Sequence, residues 1–330
     1  MPFRSTPPPG AKGRQDEKHG RTAEHPAKIP ARGWKDILMR IGEQMDANHL
    51  SITAAGIAYF AFLAIFPALA ALVSLYGLFS DPMMVQKQLA AVKSIMPHEA
   101  YAIIENQLHK IAIQPQSSLG IGFASGLLLT LFSANKGVKT MIEAMNIVYN
   151  EQEKRGFLKL NLLSLFYTFV MILMIVVSII SIVIAPAVLA FLPVPEFVDA
   201  LVKYLPWPFL GVMVVMLLNF TYYYFPNRRR AKWRWITYGS ALAALVWILA
   251  SVGFSYYVRN FGNFNETYGS VGAVVVLMMW FYISAFIVLL GGALNAETEH
   301  QTAVDSTRGT PKPLGKRGAY MADDVGDKKK

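Results

Sequence analysis

The chain has 330 residues, is 54% hydrophobic and 16% charged, carries a net charge of +10 and lacks cysteine. Disulfide and thiolate chemistry are therefore excluded. The long unbroken apolar blocks exclude a soluble core built on 3.6-residue stripes and predict an all-α, polytopic membrane protein, a six-helix transmembrane bundle with interfacial amphipathic helices. In such a chain the surplus of cations is read first as a topology signal, and nucleic acid is not an expected partner.

In chain order, residues 1–32 are polar and proline-rich. They are too poor in large apolar groups to offset the entropy of ordering, and are expected to be a disordered tail. Trp34, Ile37, Leu38, Ile41 and Met45 then fall at helical spacing, which predicts an amphipathic helix lying in the headgroup region. This begins a single membrane domain over residues 33–300. Its first span, about 51–79, is rich in small residues and contains Pro67. That proline removes a helix hydrogen bond and should bend the span. Residues 83–115 are too charged to cross. Two apolar stripes separated by Pro97 predict a pair of interfacial helices there.

The second span, about 119–135, contains the close-packing pattern Gly122-x-x-x-Gly126 and ends in Asn135 and Lys136. Beyond it Val138, Met141, Ile142, Met145, Val148 and Tyr149 continue one helical stripe past the bilayer. The third span, about 162–192, is longer than a straight crossing needs, so Pro186 should bend it or its end should lie along the surface. A fourth, about 207–225, stops at Pro226-Asn227, and Arg228 to Arg234 form the densest cationic loop. The fifth covers about 235–258, and Arg259 to Tyr268 form a polar turn. The sixth, about 269–294, is an uncharged run. At a rise of about 1.5 Å per residue it is longer than the roughly 30 Å hydrocarbon core. Residues 301–330 return to tail composition and are expected to be disordered. With six spans, 26 of the 31 Lys and Arg fall on the face that carries both chain ends. This bias places both termini in the cytoplasm.

Several motifs in the last spans resemble one family. They are Tyr224-Phe225-Pro226-Asn227-Arg228, Gly253-Phe254-Ser255-x-Tyr257, Asn265-x-x-Tyr268-Gly269-Ser270-x-Gly272-Ala273, Trp280-Phe281-Tyr282 and Leu290-Gly291-Gly292-Ala293-x-Asn295-Ala296-Glu297. With Ala58-Tyr59-Phe60 and Phe66-Pro67 in the first span, they are similar to the YihY/BrkB family over residues 34–300. Ala64 stands where many members carry serine. The resemblance implies a multi-pass protein of the bacterial inner membrane, in a family some of whose members were labelled ribonuclease BN. Roles in envelope lipid handling, transport and virulence have been suggested for that family.

A metal-dependent ribonuclease needs clustered His and carboxylate ligands. The six histidines are scattered among tails and loops. Neither a phosphate loop nor a serine nucleophile elbow occurs, so neither an enzyme nor a cofactor is expected. Polar groups at membrane depth are better candidates, because facing lipid is costly. Tyr59 and Asn219 are read as inter-helix hydrogen-bonding groups or as cargo contacts. Lys136, beside Asn135, either snorkels to the headgroups or meets a phosphate or carboxylate. Arg228 to Arg230 either bind the anionic leaflet or gate a lipid phosphate. Tyr268, Gly269 and Gly272 either permit a tight helix start or present amides to an anion. Trp280 and Tyr282 lie in the middle of the last span, which Asn295 and Glu297 close, and a Glu297–Lys136 or Glu297–Arg228 pair is expected there. Together these features predict a transporter or flippase-like protein, not driven by ATP, for a lipid or anionic envelope component, with membrane lipids as its partners. The alternative is a scaffold recruiting envelope-assembly partners through its tails.

Overall fold

The computed structural model describes residues 16–79, 116–184, 195–261 and 271–328. Among them the regular structure is helical except for one isolated antiparallel bridge between Ala231 and Thr307. Helix α1 is Ala31–Ala47, α2 Leu50–Phe79, α3 Gln116–Val148, α4 Phe157–Ile179, α5 Glu196–Tyr204, α6 Pro206–Tyr224, α7 Thr237–Phe261, α8 Gly272–His300 and α9 Tyr320–Asp323. Six stretches are long and apolar enough to cross a membrane: Leu50–Ala68, Gly120–Val148, Phe157–Ile182, Ala200–Tyr224, Trp233–Asn260 and Gly272–His300. The segments around residues 83–115, Pro186, Tyr268 and Gly269 lie outside the described residues.

Local chemistry explains several boundaries. Asn150 ends α3 in the left-handed region with φ 53°. The Glu151 amide then reaches back to the Asn146 carbonyl at 2.8 Å, a Schellman closure. Pro206 opens α6, at a position whose N–H has no intrahelical acceptor. At the other end of α6, Arg155 donates to the carbonyls of Tyr224 (3.0 Å) and Phe225 (2.6 Å), which the helix itself leaves open. Past α4 the chain widens into a π-turn over Ile180–Ile184. Pro67 sits inside α2, which continues through it. Arg259 and Asn260, expected in a polar turn, belong to α7, and the rest of that turn, residues 262–268, lies outside the described residues.

The chain divides into two compact units. The first comprises Met1–Ala55, Lys139–Ser255 and Ile283–Lys330. Ile37, Ile142, Met145, Tyr149, Trp235 and Leu289 are wholly buried in it. Here α7 and α8 cross at glycines, which let two backbones approach closely. A Cβ on Gly239 would overlap the Gly291 carbonyl, and one on Gly291 would overlap the Tyr222 hydroxyl. Polar side chains tie the helices together. Tyr222 donates to the Val288 carbonyl (2.8 Å), Ser240 to Asn219 (3.0 Å), Trp247 to Ser284 (3.0 Å) and Tyr167 to the Phe220 carbonyl (2.7 Å). The second unit comprises Gly56–Val138 and Tyr256–Tyr282. In it Gly137 of α3 faces Phe60 of α2, and Phe62 meets Phe66 edge to face, a favoured geometry for two rings. Leu128, Phe132, Leu158, Leu162, Phe166, Phe169 and Val252 point outward, as lipid in place of water requires.

One expectation is corrected. Residues 16–32 and 301–328 are folded: Arg21, Ala23, Gln301, Thr302, Ser306, Thr307, Arg317 and Met321 are buried in the first unit. Their polarity is absorbed by hydrogen bonds that composition does not register. Thr302, for instance, donates to the Ala23 carbonyl at 2.7 Å. Helix α1 turns part of its apolar stripe to the interior. It packs Gly33, Asp36, Ile37, Arg40 and Ile41 inward and leaves Leu38 and Met39 exposed.

Candidate functional site

The first unit concentrates its charges at the C-terminal end of α8. That helix is apolar until Leu294, then delivers Asn295, Glu297, Thr298 and Glu299 to fully or almost fully buried positions. The stretch Asn295-Ala-Glu-Thr-Glu-His places Glu297 and Glu299 about 200° apart around the axis, so they face different neighbours.

Glu297 meets Arg40 of α1. Arg40 Nε lies 2.5 Å from Glu297 Oε2, and its Nη2 donates to Gln301 Oε1 at 2.7 Å. The same guanidinium reaches the Asp327 carbonyl at 3.0 Å. Gln301 passes the network on, donating to the His19 carbonyl (2.6 Å) and lying 3.4 Å from Asp36. Asp36 in turn holds His19 Nδ1 at 2.5 Å. His300, one turn from Glu297, lies 3.4 Å from the same carboxylate oxygen and 3.5 Å from Asp324. Arg21 donates to the carbonyls of Gln301 and Gly326, and its burial lowers its pKa. One connected polar cluster thus binds the N-terminal segment, α1, α8 and the C-terminal segment.

Glu299 meets Arg228. Their contact is 2.5 Å with side chains 0% and 3% exposed, and Ser306 donates to the second carboxylate oxygen at 2.7 Å. The guanidinium stacks on the Tyr149 ring at 4.5 Å, a cation–π contact. Burial works against the Arg228 charge, but the Glu299 carboxylate outweighs it and holds the arginine above its ordinary range. Burial also pushes the Tyr149 phenol up, since a buried site disfavours the charged form. Beside this pair Asn295 accepts from the Gly239 amide at 2.8 Å. Among the described residues, Arg228 Nη1, the Tyr149 hydroxyl and Asn295 Nδ2 are buried with no well-aligned hydrogen bond. Around the pair, Asn146 accepts from the Asn227 amide (2.7 Å) and Asn227 donates to the Gln152 carbonyl (2.9 Å).

The expected pairing is therefore corrected. Glu297 bonds Arg40, and Arg228 bonds Glu299, two residues further along α8. Arg228, Asn295 and Tyr149 come together; Asn219 makes the inter-helix bond foreseen for it. Arg228 and Arg229 are not a bare cationic surface, since the segment around residues 303–318 covers them. The Arg229 amide donates to Gly318, and its Nη2 to Thr310. Lys136, Tyr59, Pro67, Asn135, Gly272, Trp280 and Tyr282 belong to the second unit. There Lys136 is exposed with its ammonium over Phe132 (5.6 Å), Tyr59 is 51% exposed with its ring edge-on to Phe60, and Asn135 Oδ1 is buried without a hydrogen-bond partner among the described residues.

Arg40, Asp36, Tyr149, Glu299 and Gln301 were missed as site residues. Asp36 and Arg40 carried a signal, because they stand one turn apart and adjoin Ile37 and Ile41 on the helix, so the face that buries the isoleucines takes the charges with it.

The comparisons with known proteins agree with this architecture. A family model described as Virulence factor BrkB matches residues 41–314. A Bacillus subtilis (strain 168) protein named as ribonuclease-like, YfkH, is 28% identical over 249 residues, 74% of this chain and 88% of the relative. A UPF0761 membrane protein of Pseudoalteromonas translucida (strain TAC 125) is 23% identical over 259 residues, 76% of this chain and 81% of its own length. One from Verminephrobacter eiseniae (strain EF01-2) is 25% identical over 291 residues, 84% of this chain and 65% of its own. No solved structure matches the chain.

Proposed function

Because the chain belongs to the BrkB family of multi-pass membrane proteins, we propose that it moves a lipid or another anionic envelope component across the bacterial cytoplasmic membrane without ATP. In this reading both chain ends and the Arg228 loop face the cytoplasm, in keeping with the 26 of 31 cations on that side. The chain catalyses no reaction, needs no cofactor and does not engage nucleic acid.

The observation that carries the reading is the pair of buried ion pairs, Arg40–Glu297 and Arg228–Glu299, that fasten the end of α8. Withdrawing charges from water costs several kcal/mol per ion, and well-packed apolar groups would hold the helix at less cost. A phosphate offers a guanidinium the same bidentate partner that a carboxylate does. A fastening made of arginine and glutamate can therefore be exchanged for an anionic cargo, which an apolar plug cannot. The alternative, a scaffold recruiting partners through free tails, is disfavoured by the burial of Thr302, Ser306 and Met321 in those very segments.

The test is reconstitution of purified protein into liposomes carrying fluorescent phospholipid, with headgroup accessibility followed by dithionite quenching. Faster loss of protected signal than in protein-free liposomes is expected, and Glu299→Gln should alter that rate. Failure to move any phospholipid or small anion would overturn the proposal.

A further inference from the structure

Three consecutive arginines follow α6, and the fold spends only the first two internally. Arg228 is taken by Glu299, and Arg229 turns to the Thr310 carbonyl. Arg230 is exposed, and among the described residues no carboxylate lies within 4.0 Å of it; the same holds for Arg308. The backbone places these two side by side. The Ala231–Thr307 bridge is flanked by the Arg308 amide donating to the Arg230 carbonyl and the Lys232 amide to Ser306, both at 2.8 Å.

Both guanidinium groups rest on one aromatic floor. Arg230 lies 5.3 Å from the Tyr223 ring centre and 4.6 Å from that of Tyr224, and Arg308 Nη1 donates to the Tyr223 hydroxyl at 3.3 Å. Tyr223 is itself fixed from below, stacked on Trp233 with centres 4.5 Å apart and planes within 5°. The helix end beneath would repel an anion, but Arg155 occupies its last carbonyls. The register thus sets two like charges at directly opposed positions, with no carboxylate within 4.0 Å of either among the described residues.

The position is the end of the span Ala200–Tyr224, where headgroups begin. Phe220 and Trp233, each 43% exposed, continue the floor towards the apolar face of α6, on which Met216 and Val212 are also exposed. A site with paired guanidinium groups at one edge and apolar side chains at the other fits an amphiphile whose charged part is a phosphate. We propose that Arg230 and Arg308, on the Tyr223–Trp233 platform, bind the phosphate of an anionic phospholipid headgroup. The site rests on membrane insertion alone and holds whether or not the chain moves a cargo.

The experiment measures lipid retention by native mass spectrometry and melting in mild detergent, with phosphatidylglycerol, phosphatidylcholine or inorganic phosphate added. Phosphatidylglycerol should stay bound and raise the melting temperature, and phosphatidylcholine should not. The double variant Arg230→Ala/Arg308→Ala should bind it about tenfold more weakly, as expected for loss of charge-assisted bonds. Arg234→Ala, which removes an exposed cation outside the platform, should bind as the wild type does. If the alanine pair is not recovered folded, Arg230→Lys/Arg308→Lys keeps the charge but loses the fork, and should weaken binding about threefold. Unchanged phosphatidylglycerol binding in the double variant recovered, equal retention of phosphatidylcholine, or full reproduction of the shift by inorganic phosphate would overturn the proposal. Lipid retention in detergent is independent of transport, so either result leaves the liposome assay to be judged by itself.

Discussion

Arg228 and Arg230 stand two residues apart in one cationic run, and the fold uses them in opposite ways. Arg228 is sealed beneath the C-terminal segment, paired with Glu299 and stacked on Tyr149. Arg230 lies in the open on tyrosine rings, without a carboxylate among the described residues. A run of positive residues is therefore not one functional unit. A cation's role is set by what the backbone brings opposite it, here a glutamate from α8 in one case and a second arginine in the other.

The largest effect is expected when the buried arginine is orphaned. Glu299→Ala leaves the Arg228 charge sealed without its partner and should destabilise the protein by about 3–5 kcal/mol, read as a fall in melting temperature in detergent. Replacing both partners, Arg228→Met with Glu299→Leu, should recover most of that loss while abolishing lipid movement in liposomes. Recovery of both stability and movement would separate the ion pair from transport.

Next in size is Arg155, which holds the two carbonyls beneath the exposed platform. Arg155→Ala should cost about 2 kcal/mol, since hydrogen bonds from a charged donor to buried carbonyls are lost. A melting curve measures it.

A smaller effect concerns the covering segment itself. Burial raises the Asp305 carboxyl, but bonds from the Thr307 hydroxyl and the Lys312 and Thr307 amides, aided by Arg317, hold it below the usual carboxylate range. Hydrogen bonds to the charged form outweigh desolvation here. A depressed folded pKa gives stability that is fully present above the unfolded value of about 3.9 and is lost as pH falls through the folded one. Melting temperatures in detergent, followed from neutral into acid pH, should therefore keep this contribution down to about pH 4 and lose it below. Asp305→Asn should flatten that dependence. The smallest change in stability belongs to the exposed partner: Arg230→Ala should alter it by no more than about 0.5 kcal/mol.

The six spans were legible because each is a continuous apolar run that water would not tolerate, and the α3 extension because Val138, Ile142, Met145 and Val148 repeat at helical spacing. All four of those residues are buried. The pairing at the end of α8 was legible only to within two residues. Sequence places Glu297 and Glu299 at the same membrane level but gives no rotation of the helix against the Arg228 loop. The tails were misread for a different reason. Composition weighs apolar burial, whereas Thr302, Ser306 and Asp305 are ordered by hydrogen bonds, most tellingly that of Thr302 to Ala23 at the far end of the chain. The acid–base cluster around Arg40 was hidden in the same way, since its partners Glu297 and Gln301 are more than 250 positions distant.

The antiparallel bridge between Ala231 and Thr307 also imposes an order in time. A ribosome makes residues 303–323 only after every spanning helix has been translated. Arg228 to Arg230 therefore stay bare throughout the period in which those helices choose their orientation. The same arginines can thus serve first as a topological signal to the insertion machinery and then, once the end of the chain closes over them, as interior struts. Only the third stays at the surface, available to whatever anion the finished protein meets.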